Sequence, residues 1–303
     1  MRRPKSLTLV VFAFALTASS AAAQNGRPFT TEDALNVESM RIADVSRDGR
    51  RVVATVQRRL DRVDVDHQRF GDPTYVAPSK MKALVIETSS GERHWLHDDP
   101  VQVRGFTWSP DGSRLAYFLM GDEDFSLRVY DADSGSSRTV SLDTRKALSS
   151  ASPLVWSPDG TSVVVSLRPD GWAEEARRAF YEMTEAPVIV QDSRNDFLAW
   201  ERVRNLSSRQ IPALVELRNG SVRELLPETT AQDIRFSDDG SYLTYLASSP
   251  VETGYERNEG TDYEVFRLDL DGGNPVSLLD ATQRRPSLQW SKVGDAFAYA
   301  DEG

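Results

Sequence analysis

Apolar runs of strand length, each closed by a short polar stretch, recur along this chain in nearly the same words. "TWSPDGSRLAYF", Thr107 to Phe118, is echoed by "VWSPDGTSVVVS", "RFSDDGSYLTYL" and "QWSKVGDAFAYA". The flanking runs are β-branched, aromatic and apolar without a 3.6-residue period, which predicts strands. Between them Pro110 fixes φ at the second position of a type I turn, Asp111 tolerates the third, and Gly112 takes the left-handed position that closes a tight hairpin. An earlier and looser copy, "VSRDGRRVVATV", brings the number to five, with turn glycines at 49, 112, 160, 240 and 294. Their separations run irregularly from 48 residues (112 to 160) to 80 (160 to 240), so the repeat carries loop insertions.

A second phrase interleaves with the first. "ALVIETSSGERHWL", "LRVYDADSGSSRTVSL", "ALVELRNGSVRELL" and "EVFRLDLDGGNPVSLL" each read as strand, Gly-bearing turn, strand. One unit is therefore four short antiparallel strands, and such units repeated every 40 to 50 residues or so are the signature of β-propeller blades. Trp108, Trp156, Phe236 and Trp290 hold equivalent places, where large flat side chains fill the space between blades. The expected fold is all-β: an incomplete propeller of about four and a half antiparallel four-stranded blades over 44–303, with a short helix in a lead-in segment, 24–43.

Residues 1–23 stand apart. Arg2, Arg3 and Lys5 precede the apolar run Leu7 to Leu16, and Ala21-Ala22-Ala23 offers a cleavage site before Gln24, the pattern of a secretory signal peptide. The apolar run is shorter than the ~20 residues of a membrane-spanning helix, so the expectation is an exported protein, periplasmic or extracellular, with no stable membrane span after cleavage. The remaining 280 residues contain no cysteine, which excludes disulfides and thiolate zinc sites. Removing the three signal-peptide cations lowers the net charge from −10 to about −13, a repulsive field for phosphate backbones, so nucleic acid is not an expected partner.

The wording of the repeat resembles the propellers of the prolyl oligopeptidase family and of the Tol-system periplasmic protein. The opening "FTTEDALNVESMRIADVSRDGRRVVATV", Phe29 to Val56, is similar to the start of secreted members of the dipeptidyl peptidase IV and acylaminoacyl peptidase type, where a short helix leads directly into the first blade. Thr30 or Thr31 can cap that helix, Glu32 and Asp33 suit its N-terminal end, and Ala34 and Leu35 continue it. The resemblance implies the substrate-gating propeller of a secreted serine peptidase. The alternative it leaves open is a non-enzymatic periplasmic propeller that binds a protein or peptide.

Chemistry is sparse. The strand rhythm stops over 169–212, and "DGWAEEARRAFYEM" predicts a helix near 172–183 with Trp172, Ala176, Phe180 and Met183 on one face; "APVIVQD" then reads as a strand. Glu174 and Glu175 lie on that helix. The family resemblance implies that a Glu pair so placed binds the free amino terminus of a peptide, since two adjacent carboxylates gain from a cation and an ammonium supplies three donors. The competing reading is a solvated helix face with Arg177 and Arg178 as local partners. "GDEDF" and "DLDGG" read as acidic turn tips without calcium-loop spacing, and His67, His94 and His97 as surface or satisfied histidines, so no metal or cofactor is expected. No G-x-S-x-G string occurs, and a catalytic residue is expected only in an α/β-hydrolase domain beyond this sequence.

Overall fold

The computed structural model describes residues 28–63, 78–121, 124–184, 199–250, 261–282, 284–291 and 296–300. Helix α1 (Thr31–Leu35) opens the described chain. Thr30 accepts from the Asp33 backbone, and the Asp33 side chain returns a bond to the Thr30 amide at 2.9 Å, so both orphan donors of this helix end are satisfied reciprocally.

Strand β1 (Glu38–Val45) follows at once, so the expected lead-in segment already contains most of the first strand. It pairs with β2 (Arg51–Arg58); after the short helix α2 (Leu60–Val63), β3 (Lys82–Glu87) pairs with β2 and β4 (Arg93–Trp95) with β3, giving the sheet order β1-β2-β3-β4. Three more sheets repeat this antiparallel order: β5 (Val103–Trp108), β6 (Arg114–Met120), β7 (Phe125–Asp131) and β8 (Ser136–Thr139); β9 (Val155–Trp156), β10 (Ser162–Leu167), β11 (Ile211–Glu216) and β12 (Val222–Glu224); β13 (Gln232–Phe236), β14 (Tyr242–Pro250), β15 (Thr261–Asp269) and β16 (Val276–Thr282). The third sheet is interrupted between β10 and β11 by α3 (Trp172–Thr184) and α4 (Ala199–Ser208). A final pair, β17 (Ser287–Trp290) with β18 (Phe297–Ala300), forms a two-stranded sheet. Among the described residues this is a propeller array of four blades and one hairpin, and no sheet closes on itself.

The core lies between blades. One cluster joins Val53 and Val85 of the first blade to Trp108, Leu115 and Tyr117 of the second. The next joins Phe118, Leu127 and Val129 to Trp156, Val163 and Val215, and the third joins Val164 to Phe236, Leu243 and Tyr245. Each repeat aromatic is thus the wedge against the preceding blade, as its position in the phrase requires. Toward the hairpin the contact is a cation over a ring, with the Arg235 guanidinium 4.8 Å from Trp290.

The turns link blades as well. Gly112 has φ +71° and its amide bonds the Ser109 carbonyl at 2.8 Å, closing the turn that the sequence predicts. The Ser109 hydroxyl donates to Asp111 Oδ1 at 2.5 Å and accepts from the Arg114 amide at 2.9 Å; Ser46, Ser157 and Ser237 do the same in their own turns. From the strands after the first two turns, Arg51 reaches the Gly112 carbonyl at 2.8 Å and Arg114 reaches the Gly160 carbonyl at 2.6 Å, tying the first blade to the second and the second to the third.

Candidate functional site

The insertion grows out of the end of β10. Arg168, buried at the strand's end, is followed by Pro169-Asp170-Gly171, where Gly171 turns the chain at φ +73° into α3. Trp172, Ala176 and Ala179 are the buried stripe of α3; they meet Val203 and Leu206 of α4, with Phe180 and Met183 partly covered beside them. The face expected from the sequence therefore exists, and its partner is a second helix, α4. From α4, "AWERVRNLSS", Val203 and Leu206 are the buried apolar residues of this contact. The strand expected at "APVIVQD" and the residue His67 lie outside the described residues, as does the signal-peptide segment 1–23. Among the described residues no helix is long and apolar enough to cross a membrane.

Arg168 fastens the helix pair to the blade. Its guanidinium lies 3.9 Å from the Trp172 ring centroid and donates to the carbonyls of Ser207 at 2.8 Å and Arg209 at 2.9 Å, and to the Ser150 hydroxyl at 2.9 Å. A fixed cation at the C-terminal carbonyls of α4 also complements the helix dipole. The Trp172 indole donates to the Leu206 carbonyl at 2.8 Å, so both sides of the junction are hydrogen-bonded.

On this scaffold the two glutamates diverge. Both stand in the first turn of α3, where negative charge is favoured. Glu175 accepts from Arg209 Nη1 at 2.8 Å, and Arg209 also binds Glu228. These bonds, the Glu228 contact foremost, raise the Arg209 pKa above its ordinary value. The partner of Glu175 is thus Arg209 from the α4–β11 junction, not Arg177 or Arg178 as its position in the sequence suggests. Glu174 is exposed, makes no ion pair among the described residues, and lines a pocket of about 230 Å³ at the root of α3.

Phe125, Leu148 and Trp172 give that pocket an apolar lining, and Arg145, Lys146 and Asp170 stand with Glu174 at its polar positions. Lys146 is held by Glu224 at 2.5 Å, with Asp170 at 3.9 Å, and the Glu224 bond raises its pKa. Arg145 makes no ion pair among the described residues. The arrangement offers one open carboxylate and one open guanidinium at an apolar cleft. Sequence reading missed Arg145, Phe125 and Arg209, because Phe125 begins strand β7, Arg145 lies in the β8–β9 connection and Arg209 in the α4–β11 junction, and no local pattern records that they meet.

The other clusters lie elsewhere. His97 accepts or donates one hydrogen bond with the Tyr117 hydroxyl at 3.1 Å, and burial lowers its pKa. His94 lies beside Tyr130 with ring centroids 5.4 Å apart. Among the described residues no three His, Asp or Glu side chains are arranged to hold a metal ion.

No family model matches the sequence. A curated relative, an uncharacterized peptidase of Bacillus subtilis strain 168 named YuxL, is 28% identical over 171 residues, which cover 54% of this chain and 24% of that protein. A solved prolyl endopeptidase matches 86% of this chain with 32% of its own, at 15% identity and a TM-score of 0.51. TolB from Acinetobacter baumannii matches 82% of this chain with 46% of its own, at 13% identity and a TM-score of 0.44. The prolyl endopeptidase likeness is one of fold. The match spans about a quarter of the length of the curated peptidase relative.

Proposed function

We propose that this chain is the substrate-gating propeller of an exported serine peptidase of the prolyl oligopeptidase kind, whose nucleophile, base and acid reside in an α/β-hydrolase domain outside this sequence. The observation that carries the reading is the pairing of a sequence match to a curated peptidase with a blade array whose fold is that of a prolyl endopeptidase over most of the chain. Export rests on the charged start, apolar middle and small-residue end of residues 1–23.

Within that reading the root of α3 selects substrate. Glu174 receives the free α-ammonium of a peptide, Arg145 its first carbonyl, and Phe125, Leu148 and Trp172 line the space for an apolar side chain. Glu175, committed to Arg209, holds the helix in place and contributes to the ammonium only through its charge. Binding energy realised at the peptide's end positions the scissile bond at the catalytic domain, so the selectivity of this pocket appears in kcat/KM.

The test is expression of the uninterrupted reading frame that contains this chain, followed by reaction with a fluorophosphonate serine-hydrolase probe and with aminoacyl and N-acylated chromogenic peptides. Covalent labelling and hydrolysis of peptides are the expected results. A full reading frame that neither labels nor hydrolyses any peptide rejects the peptidase reading.

A further inference from the structure

We infer that a second, separate site lies on the turn side of the array, between the outer strands of the first two blades, and that it binds an alkylammonium group. A groove of about 550 Å³ opens there, floored by Val85 and Tyr130 and bordered by His94, Glu87, Glu92 and Asp133. It shares only strand β7 with the α3 root, whose Phe125 begins that strand while Tyr130 stands near its end, and it does not depend on the peptidase reading.

Three observations define what fits. The first is charge: Arg51 binds Glu87 at 2.5 Å and Asp133 at 3.4 Å, whereas Glu92, exposed at the rim, has no ion-pair partner among the described residues. The groove therefore keeps net negative charge after its internal cation is counted. The second is Tyr130, only 3% exposed, whose side chain lines the groove and whose hydroxyl makes no hydrogen bond among the described residues. That hydroxyl is therefore available to a partner in the groove. The third is the pair of rings, Tyr130 and His94, 5.4 Å apart and inclined at 33°, which give the groove an aromatic wall.

A divalent metal is disfavoured, because no three carboxylates or histidines converge among the described residues. An alkylammonium fits: its three donors reach the Glu92 carboxylate and the Tyr130 hydroxyl, and its methylenes lie along the rings and Val85. The same chemistry is carried by a lysine side chain of a polypeptide and by a free polyamine.

Isothermal titration of the purified chain with N-acetyl-lysine methylamide and with 1,5-diaminopentane separates these two sources, and N-acetyl-norleucine methylamide is the uncharged control. Saturable binding of either amine, with none of norleucine, is expected; the tighter of the two names the source. Glu92→Gln weakens binding about tenfold and Tyr130→Phe about threefold, as loss of a charged and of a neutral hydrogen bond should. Asp271→Asn, in the exposed turn after β15, changes charge equally and leaves binding unchanged. Since Glu92 is exposed and outside the core, its variant reads the site even if Tyr130→Phe unfolds. Absence of saturable amine binding, equal binding of norleucine, or unaltered binding by Glu92→Gln overturns the inference.

Discussion

Arg209 Nη1 lies 2.8 Å from Glu175 Oε2, and this one bond separates two neighbouring glutamates into a paired carboxylate and an open one. In the longer peptidase proposed above, Glu174→Gln is therefore expected to lower kcat/KM for substrates with a free α-amino group about tenfold while leaving N-acylated substrates nearly unchanged, as loss of one charge-assisted contact implies. Glu175→Gln should act mainly on stability, by about 0.5–1 kcal/mol, because the broken pair is partly solvent-exposed. Paired kinetics on aminoacyl and acylated peptides, with urea titrations of both variants, distinguish the roles. Equal loss on both substrate classes would return Glu174 to a solvated helix face.

Arg168 is the second place where one side chain holds the insertion. Replacing it with Met keeps much of its volume over Trp172 but leaves the Ser207 and Arg209 carbonyls and the Ser150 hydroxyl without this donor. A loss of about 3–5 kcal/mol is expected, concentrated in α3 and α4. Hydrogen exchange should show faster exchange over Trp172–Thr184 and Ala199–Ser208 while β6 and β7 keep their protection. Uniform destabilisation of every blade would mean that the helix pair is not a separate unit.

The blades were legible in the sequence because each is written locally. The Ser-Pro-Asp-Gly phrase contains its own turn chemistry, and a hairpin needs only neighbouring residues, so Gly112, Gly160 and Gly240 fall at positive φ where the sequence places them. The wedges at Trp108, Trp156 and Phe236 were legible for the same reason: position in a repeat fixes position in a blade. The α3 root was legible only in part. Glu174 and Trp172 belong to a readable helix, but Phe125 arrives from the start of β7 and Arg145 from the connection leaving the second blade, and no local period records which segments meet. The helix α4 was missed because its apolar content is low and only tertiary contact with Trp172 and Ala176 completes it.

The turn aspartates carry an acid sensitivity. The Ser109 hydroxyl, then the Ser113 bonds, hold Asp111 at a pKa of about 2 against an ordinary 3.8. The folded carboxyl is the stronger acid, so it stabilises the fold above the unfolded value and that contribution disappears as pH falls from about 4 to about 2. Asp239, bonded by the Ser241 amide and by the Ser241 and Ser237 hydroxyls, is lowered to about 2 as well and titrates in the same window. Denaturation midpoints measured across that window should fall steeply for the natural chain and less steeply for Asp111→Asn. Parallel curves would show that other carboxylates dominate.

Gly220 and Gly91 offer a controlled comparison of strain with collision. Both sit in the outer hairpin of a blade at positive φ, +75° and +72°, where any L-residue with a Cβ is strained. At Gly91 a Cβ meets nothing within 4 Å, so Gly91→Ala should cost only the conformational term, about 1 kcal/mol. At Gly220 the same Cβ would lie 1.8 Å from the Ser141 carbonyl oxygen, in a strap where the Gly220 carbonyl also accepts from the Asp143 amide at 2.8 Å. That oxygen is backbone and cannot swing aside, so the second and third blades must part locally. Gly220→Ala should therefore cost at least about 3 kcal/mol more than Gly91→Ala, which is large for a single methyl group. Urea titration at constant m-value measures the difference directly. Equal losses in the two variants would mean that the loop at Ser141 relaxes freely, and that the close approach of these two backbones is not what joins the blades.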